Sequence, residues 1–399
     1  MQKKVIFITT TNLYNNPRLV KELHLFSGLS YSVTAIVFNV GYGDDKSIDI
    51  ESKLPNVNFI KISALRDPLF SWLFSTIAEK AAISITSLLK NSLLANAIAH
   101  NKRTFLINRK LKVNNQKFDL IISDTLGALY PAYQLSKKTN TPFAFDMEDY
   151  HPGEQNYSKN PLVEIRRREF LLESMLPKAT FTTYAAPLFL TETNKLFKTP
   201  LKKQYVINNG FLSEEFELCH NSSSKINLVW YSLNIAQGRG LELILPIIKK
   251  FSDKIHLTLI GKLNPDFDKN FQISEFSNIT LLGHLSQKRL HQELCKADVG
   301  LSLEQSSTDL NRDLCLTNKI ISYCQAGLYI LATPTQAQKD LIHNNPSLGV
   351  VSGNLEQNVV KIIETIDGIR KNKEARFNHG EKFSWDAEQE KYKMILKNV

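Results

Sequence analysis

Short runs of β-branched and aromatic residues alternate with amphipathic periods along the first half of the chain. The runs predict strands over residues 5–9, 33–38, 57–62, 119–123, 142–146, 179–184 and 204–208. The segments between them place apolar residues at i, i+3 and i+4, the period of a helix that buries one face. Because strands that alternate with helices form right-handed units with parallel strands, this half predicts a Rossmann-like domain over residues 1–208.

The alternation stops at a polar stretch rich in Ser and Asn, interpreted as a linker over residues 209–225. A second alternation predicts strands over 226–232, 255–261, 278–283, 298–303, 328–333 and 348–352, with helices opening near Gly240, Gln287, Asn318, Gln336 and Leu355. We therefore expect an α/β fold of two doubly wound, Rossmann-like domains facing a cleft, the second over residues 226–379. A last helix over 380–399 is apolar on one side, and we expect it to pack back on the N-terminal domain.

The composition supports this division. The 399 residues are 43% hydrophobic and 22% charged, which suits two ordinary globular domains and excludes disordered, collagen-like and disulfide-rich classes. The four cysteines lie far apart without C-x-x-C spacing, so they indicate buried thiols in a reducing compartment. The apolar run near the N-terminus is too short for a signal peptide, and we expect a cytoplasmic protein.

The formal charge of +10 is concentrated in one segment. Residues 66–117 contain nine basic and two acidic residues, together with apolar stretches too short and too interrupted to span a bilayer. Two interpretations stay open: a basic amphipathic segment lying on an anionic membrane surface at the inner face, or a pair of core helices with a solvated basic rim. No motif with interleaved aromatic residues accompanies the charge, so no nucleic-acid partner is expected.

Polar residues that follow predicted strands are the candidate site, because ligands of open α/β sheets bind beyond the carboxyl ends of the strands. Each one alone also suits a turn glycine, a helix cap or a surface charge. Their shared placement favours a ligand site with anion-binding helix N-termini. The candidates are Asn16 and Arg18 after the first strand, Glu148, Asp149 and His151 after the fifth, and Ser232, Arg239, Gly240, Gly261, His284, Asn318 and Lys319 in the second domain.

Several common occupants of such folds are disfavoured. The loop after the first strand contains no glycine, so the dinucleotide fingerprint G-x-G-x-x-G is missing there. The chain also lacks a Walker motif, H-E-x-x-H and G-x-S-x-G. Nicotinamide enzymes, P-loop NTPases and hydrolases of the serine type are therefore not expected.

The order of these elements resembles the GT-B glycosyltransferases, in particular the retaining, nucleotide-sugar-dependent family 4. The opening NNPRLV (15–20), the loop from Asp146 to Asp149, VINNGF (206–211) and LTNKIISYCQAGLYILAT (316–333) are similar to successive motifs of that family. The resemblance spans nearly the whole chain. It implies a C-terminal domain that binds a nucleotide diphosphate sugar and an N-terminal domain that binds the acceptor.

The sequence departs from the family pattern at the donor motifs. Two glutamates eight residues apart precede the final glycine in many members, and Leu314 and Ser322 stand at those positions here. Leu233 replaces an arginine, which leaves Arg239 at the position of a lysine, and Glu148 stands where a histidine is frequent. Donor chemistry is then either rebuilt from Glu304, Asp313, Arg239 and Lys319 or partly lost.

The resemblance implies sugar transfer to a glycan or a polyprenyl-linked acceptor in surface polysaccharide synthesis. Arg239 and Lys319 would neutralise the departing diphosphate, while Glu148, Asp149 and His151 would serve the anomeric centre and the acceptor hydroxyl. Since protein cations do the neutralising, neither a metal nor a cofactor is expected. Two alternatives stay open: a nucleotide-sugar epimerase of the same architecture, and a non-catalytic binding or partner subunit of a glycan assembly complex.

Overall fold

A computed structural model describes residues 2–112, 116–156 and 158–398. The chain divides into two compact units, residues 1–206 and residues 207–399, which we call unit 1 and unit 2. The predicted linker over 209–225 falls within unit 2 by this division.

Unit 1 is built on a parallel sheet of seven strands in the order β3-β2-β1-β4-β5-β6-β7. The sheet reverses its direction of growth between β1 and β4, which are hydrogen-bonded neighbours. The strands are β1 (Lys4–Ile8), β2 (Ser32–Asn39), β3 (Val57–Ser63), β4 (Leu120–Ser123), β5 (Phe143–Met147), β6 (Phe181–Tyr184) and β7 (Gln204–Val206). All seven predicted strands are confirmed.

The helices of unit 1 connect these parallel strands. They are α1 (Pro17–Gly28), α2 (Asp44–Ser52), α3 (Leu69–Leu88), α4 (Leu93–His100), α5 (Arg103–Lys112), α6 (Leu126–Thr139), α7 (Pro161–Met175) and α8 (Pro187–Asn194). Helix α1 starts where Pro17 fixes the backbone torsion and the Asn16 side chain accepts a hydrogen bond from the Leu19 amide. This cap fixes the beginning of α1 directly beyond the carboxyl end of β1.

Unit 2 contains a parallel sheet of six strands in the order β10-β9-β8-β11-β12-β13. The strands are β8 (Ile226–Ile235), β9 (Ile255–Leu263), β10 (Ile279–Leu281), β11 (Val299–Ser302), β12 (Tyr329–Ala332) and β13 (Gly349–Val351). Strand β8 runs past the predicted end at residue 232, because its pairing with β9 resumes at Asn234 after a register shift. Again the direction of growth reverses between two neighbours, β8 and β11.

The helices of unit 2 are α9 (Leu241–Lys250), α10 (Pro265–Phe271), α11 (Gln287–Cys295), α12 (Leu310–Leu314), α13 (Asn318–Gln325), α14 (Gln336–Asn344), α15 (Leu355–Lys371), α16 (Lys373–Gly380) and α17 (Trp385–Lys397). Five of them, α9, α11, α13, α14 and α15, begin where the sequence predicts them, whereas α10, α12 and α16 are additional to the prediction. The two-unit α/β architecture with doubly wound parallel sheets is confirmed.

The C-terminal helix α17 is joined to the first residues of unit 2. The Trp385 amide donates to the Phe211 carbonyl at 2.8 Å, and the Asn208 side chain donates to Glu388 at 2.7 Å. The apolar side of α17 is buried, with Tyr392 and Ile395 among its inward residues. That this helix also covers the N-terminal domain stays a prediction.

The basic segment 66–117 forms α3, α4 and α5, with residues 113–115 outside the described part. Its helices differ in how much apolar surface they bury, and the membrane interpretation stays a prediction. Helices α4 and α5 bury apolar residues as core helices do, whereas α3 exposes Phe70, Phe74 and Ile77 to solvent. Among the described residues, none of the helices combines the length and apolarity that crossing a membrane requires.

Candidate functional site

In unit 1, polar side chains meet beyond the carboxyl ends of β1 and β4, where the strand order reverses. Asn16, the cap of α1, donates from Nδ2 to Oδ2 of Asp124, the residue that follows β4. Both side chains are buried. A crevice at such a reversal is where open α/β sheets bind ligands, so this pair lies at the expected position.

Arg18 reaches across to the neighbouring strand β5. Its Nε and Nη2 atoms donate to the two carboxylate oxygens of Asp146 at 2.5 and 2.7 Å, and both residues are 1% exposed. Thr183 on β6 donates a further hydrogen bond to Asp146. Burial opposes the charge of Arg18, but Asp146 outweighs it and raises the pKa of the guanidinium. The structure therefore gives Arg18 a positioning contact with β5.

Carboxyl groups crowd the same end of the sheet. Burial, with the charges of neighbouring carboxylates, raises the pKa of Asp124 to about 7 and that of Glu148 to about 8. The pKa of Glu22 on α1 is also raised by burial, and its two carboxyl oxygens have no hydrogen-bond partner among the described residues. A carboxyl group with a pKa of about 8 is mostly protonated at neutral pH, and in that form it can donate a hydrogen bond.

His151 lies in a polar network just beyond these carboxyl groups. Its Nδ1 is 2.7 Å from Glu154 Oε2, and its carbonyl accepts a hydrogen bond from Arg168 at 2.7 Å. Its Nε2 is buried, without a hydrogen-bond partner among the residues described. Asp149, partly buried, lies close enough to Glu148 to help raise the pKa of that carboxyl group. The three predicted catalytic residues thus share one loop and the turn that follows it.

In unit 2, the loop after β8 and the loop after β11 approach each other closely at Gly240. It caps α9 with φ of +82°, and a Cβ there would lie 2.0 Å from the Leu303 carbonyl oxygen. Only glycine suits both the torsion and the close approach. Glu242 ties the loops further, since its Oε1 accepts from the Gly238 amide at 3.0 Å and from Gln305 Nε2 at 3.1 Å.

The same place brings together two of the predicted donor-binding residues. Lys319 Nζ donates to Glu304 Oε1 at 2.9 Å, and it lies 5.0 Å from the centroid of the Trp230 ring. Arg312 approaches the other Glu304 oxygen at 3.8 Å, and Thr333 donates to the Glu304 carbonyl. A cavity of about 640 Å³ has Glu304 in its wall. An anchored ammonium group therefore stands at the reversal point of the second sheet.

Two helices of unit 2 begin at this point without a side-chain cap, α9 at Gly240 and α13 at Thr317. Helix α16 also begins without a side-chain cap, at Asn372, whereas α10, α11, α12, α14, α15 and α17 each begin with a side chain that accepts from a first-turn amide. The hydroxyl of Thr317 is buried and has no partner within the described chain. Uncapped amino ends present N–H groups and a partial positive charge to an anion.

The positions of the missing glutamates are now occupied by packed side chains. Ser322 is fully buried, lies 3.0 Å from the Tyr231 hydroxyl and donates to the Lys319 carbonyl at 2.8 Å. Leu314 is also buried. Asp313 accepts a hydrogen bond from the Gln336 amide at the start of α14. Of the substitutes that the sequence offers, Glu304 is therefore the carboxylate that contacts Lys319.

The other predicted donor residues lie at the carboxyl ends of the strands of unit 2. Gly261 approaches the Ser232 carbonyl so closely that a Cβ would lie 1.9 Å from it, and the Gly261 amide donates to the Gly283 carbonyl at 2.7 Å. His284 and Arg239 are exposed, and Asn318 accepts a hydrogen bond from Asn209 at 3.0 Å. The roles of all these residues toward a ligand stay predictions.

Sequence reasoning did not single out several members of these clusters. Asp124 directly follows the fourth predicted strand, and Glu22 stands one helical turn after Arg18, so their positions carried a usable signal. Trp230 and Tyr231 carried no such signal, because aromatic residues inside a strand usually belong to the hydrophobic core.

No protein-family model and no curated protein matches the chain. Solved structures do. HepE from Anabaena in complex with UDP is 12% identical with a TM-score of 0.64, covering 99% of this chain and 100% of that one. Sucrose-phosphate synthase from Thermosynechococcus elongatus is 11% identical with a TM-score of 0.63, covering 100% and 99%.

A third similar structure is a putative UDP-N-acetylglucosamine 2-epimerase from Listeria monocytogenes. It is 12% identical with a TM-score of 0.54, and the alignment covers 95% of this chain and 91% of that one. At such identities the likeness establishes the fold. The chain has the two-domain GT-B fold, as the sequence predicts.

Proposed function

We propose that this protein is a glycosyltransferase that takes a sugar from a nucleotide diphosphate sugar bound by unit 2. One observation carries the proposal: the uncapped amino ends of α9 and α13 open at the reversal point of the second sheet, beside Lys319. Helix amino ends with an adjacent cation form a site for a phosphate-bearing ligand. The complex of HepE with UDP-glucose, a protein of similar fold, supports this assignment.

When the sugar leaves its donor, negative charge develops on the departing nucleotide diphosphate. Lys319, fixed by Glu304 and by the ring of Trp230, stabilises that charge, and the exposed Arg239 supplies a second cation from the loop before α9. Because protein cations provide this neutralisation, we expect no requirement for a metal or a cofactor. Glu304 has the role that a glutamate near the final glycine has in family 4, and it accepts a hydrogen bond from a hydroxyl group of the nucleotide sugar.

We assign binding of the acceptor to the polar residues at the carboxyl ends of the strands of unit 1, Glu148, Asp149 and His151, which we call the strand-end cluster. Glu148 is protonated at neutral pH and donates a hydrogen bond to the acceptor or to the transferred sugar, while Asp149 supplies a carboxylate. His151 is held by Glu154 and Arg168, so its ring is fixed for contact with a hydroxyl group. We assign retention of anomeric configuration from the resemblance to family 4.

We further propose that the acceptor is a polyprenyl-linked glycan and that the protein works in surface polysaccharide synthesis at the inner membrane face. Helix α3 supports the membrane location, because its exposed Phe70, Phe74 and Ile77 are accompanied by the exposed cations Arg66 and Lys80. Exposed apolar residues with a basic border are typical of segments that lie on anionic membranes.

The experiment that tests the function is a thermal-shift panel of nucleotide sugars, followed by transfer assays with the donor that binds. A ligand at about 100 times its Kd stabilises the native state by about 2.7 kcal/mol. We expect one nucleotide diphosphate and its sugar conjugate to raise the melting temperature, with a clearly smaller shift in the Lys319→Ala variant and an unchanged shift in Lys339→Ala. Stabilisation by no member of the panel would favour the non-catalytic partner subunit, for which Leu314 and Ser322 argue.

The epimerase is a second candidate, favoured by the likeness to the Listeria structure. It differs from a transferase in needing no acceptor. Incubation with the bound donor alone, followed by analysis of the sugar, separates the two: an altered sugar identifies an epimerase, and an unchanged one supports transfer.

A further inference from the structure

Unit 1 contains an apolar cavity on its helical layer, among α4, α5 and α6. Its volume is about 690 Å³, within the range of about 300–1,000 Å³ common for small-molecule pockets. The wall is made largely by Leu94, Ile98, Phe105, Leu111, Tyr130 and Leu135. Apolar walls of this size suit a hydrocarbon chain.

The mouth of this cavity is basic. Arg109, Lys112 and Lys138 line it and are exposed, and none of the three forms an ion pair with another described residue. Three cations without acidic partners around an apolar cavity complement a ligand that is apolar at one end and anionic at the other. An uncharged apolar ligand would leave these cations unused.

The cavity is connected through Phe105 to the packed side of α3. Ala78 and Ala82 of α3 pack against Ala95 and Ala99 of α4, in a cluster that also includes Phe105. Phe105 lines the cavity as well. The exposed apolar residues of α3 and the cavity thus belong to one continuous helical layer.

This cavity is separate from the strand-end cluster. Helix α6 starts beyond the carboxyl end of β4 and runs back along the sheet, and the cavity takes its lining from the second half of α6, after Leu129. It is therefore displaced toward the amino ends of the strands. Asp146 and Glu148 lie at the opposite, carboxyl end, so the cavity is no part of the reacting site.

We propose that this cavity binds the hydrocarbon chain of a lipid whose phosphate headgroup contacts Arg109, Lys112 and Lys138. The inference deepens the proposed function, on which its membrane setting rests, by naming the lipid partner of unit 1 as an anionic phospholipid. One hydrocarbon chain of the phospholipid leaves the bilayer and enters the cavity, and this holds α3 against the membrane surface.

The test measures binding of dodecyl phosphate, below its micellar concentration, by isothermal calorimetry. Inorganic phosphate and the uncharged dodecyl maltoside are the comparison ligands. We expect one saturable site for dodecyl phosphate and no heat with inorganic phosphate. Heat with inorganic phosphate equal to that with dodecyl phosphate, or no saturable binding of dodecyl phosphate, would overturn the proposal.

Two variants with matched controls locate the site. Gln134→Trp places a large side chain at the half-exposed edge of the cavity, whereas Gln357→Trp makes the same change on the exposed surface of α15. We expect the first to weaken dodecyl phosphate binding at least tenfold and the second to leave it unchanged. Equal affinities of the two variants would contradict the proposal.

The second variant replaces all three cations, Arg109→Gln, Lys112→Gln and Lys138→Gln, and its control replaces Lys339, Lys361 and Lys371 of unit 2 by Gln. The net charge changes equally. We expect only the first triple to weaken dodecyl phosphate binding, about tenfold, with the affinity for dodecyl maltoside unchanged. An equal loss in both triples would mean that net charge alone attracts the ligand, against the proposal.

Nucleotide-induced stabilisation, measured on the same variants, separates this inference from the proposed function. The donor-binding residues belong to unit 2, so all cavity variants should keep the thermal shift with the nucleotide. Lipid binding without any nucleotide response would refute the proposed donor site and leave the cavity assignment standing. A nucleotide response together with wild-type lipid affinity in Gln134→Trp would refute the cavity assignment and leave the proposed donor site standing.

Discussion

Arg18 and Asp146, 128 residues apart in sequence, form a buried bidentate ion pair that fastens α1 to the carboxyl end of β5. The contact fixes the place from which the loop bearing Glu148 and Asp149 leaves the sheet. Neither partner is exposed enough for water to replace the other. The pair therefore has a structural consequence for every residue of that loop.

Replacing Arg18 by alanine should destabilise unit 1 strongly. Removing one partner of a buried ion pair leaves the other charged and unpaired, which typically costs about 3–5 kcal/mol. Urea unfolding followed by circular dichroism measures the loss. The control is Arg289→Ala, whose ion pair with Glu293 is on the surface and is expected to contribute at most about 1 kcal/mol. Similar losses for both variants would show that Asp146 finds another partner.

Replacing Lys319 by alanine should weaken binding of the nucleotide diphosphate about 10- to 100-fold. A hydrogen bond to a charged group contributes about 1.5–3 kcal/mol, and about 1.4 kcal/mol corresponds to a factor of ten. Arg239→Ala should cost less, because that side chain is exposed. Calorimetric titration provides the affinities, with Lys339→Ala as the control. If the Lys319 and Arg239 variants both bind and turn over the donor as the wild type does, the donor assignment is wrong.

Introducing a glutamate at position 322 should destabilise unit 2. Ser322 is fully buried against Tyr231, so the longer side chain must displace its neighbours or bury a charge. We expect Ser322→Glu to lower the free energy of unfolding by several kcal/mol and Ser322→Ala by about 1 kcal/mol. Chemical denaturation of both variants is the measurement. A Glu variant as stable as the Ala variant would show that position 322 has room for the longer side chain.

Asp124 should give the stability of unit 1 an unusual dependence on pH. Its pKa is raised from 3.8 to about 7, so the folded protein keeps a proton that the unfolded chain releases between those values. The Asp124 contribution therefore declines as pH rises through this window, by up to about 1.4 kcal/mol per pH unit. Asp124→Asn should flatten the slope between pH 4 and 7. Parallel stability curves for the variant and the wild type would rule out the raised pKa.

Glu148 should produce an alkaline limb in the pH profile of transfer. Its pKa of about 8 keeps it protonated, and able to donate, below that value. We expect kcat/KM to fall above pH 8, and Glu148→Gln, which keeps a donor without titrating, to remove the limb. Glu148→Ala should lower kcat/KM throughout. A limb that survives in the Gln variant belongs to another group.

The architecture was predictable because buried parallel strands leave a clear record in the sequence. Runs such as 5–9 and 33–38 are mainly apolar on both faces, and helices α11 and α14 start directly after capping residues, Ser286 and Thr335. Local chemistry determines such features. That is why the strands and helix starts agree closely with the structure.

Pairings between distant residues were not predictable. Asn16 and Arg18 are acceptor-side candidates in the sequence because they open a helix after the first strand, but the fold brings Asp146 to Arg18 from another strand. Glu304 and Lys319 were both candidates, yet only the fold shows that they form one ion pair. The burial of Ser322 against Tyr231 likewise depends on how α13 packs on β8.

The uncapped amino ends of α9 and α13 have a consequence for handling the protein. Sulfate and phosphate carry the same oxygen geometry as a nucleotide's phosphates, and helix starts with free N–H groups attract them. If the proposed donor site is correct, sulfate or phosphate in a purification or assay buffer competes with the nucleotide there, and a weakly binding donor then gives no signal. Chloride salts and amine buffers leave that place open.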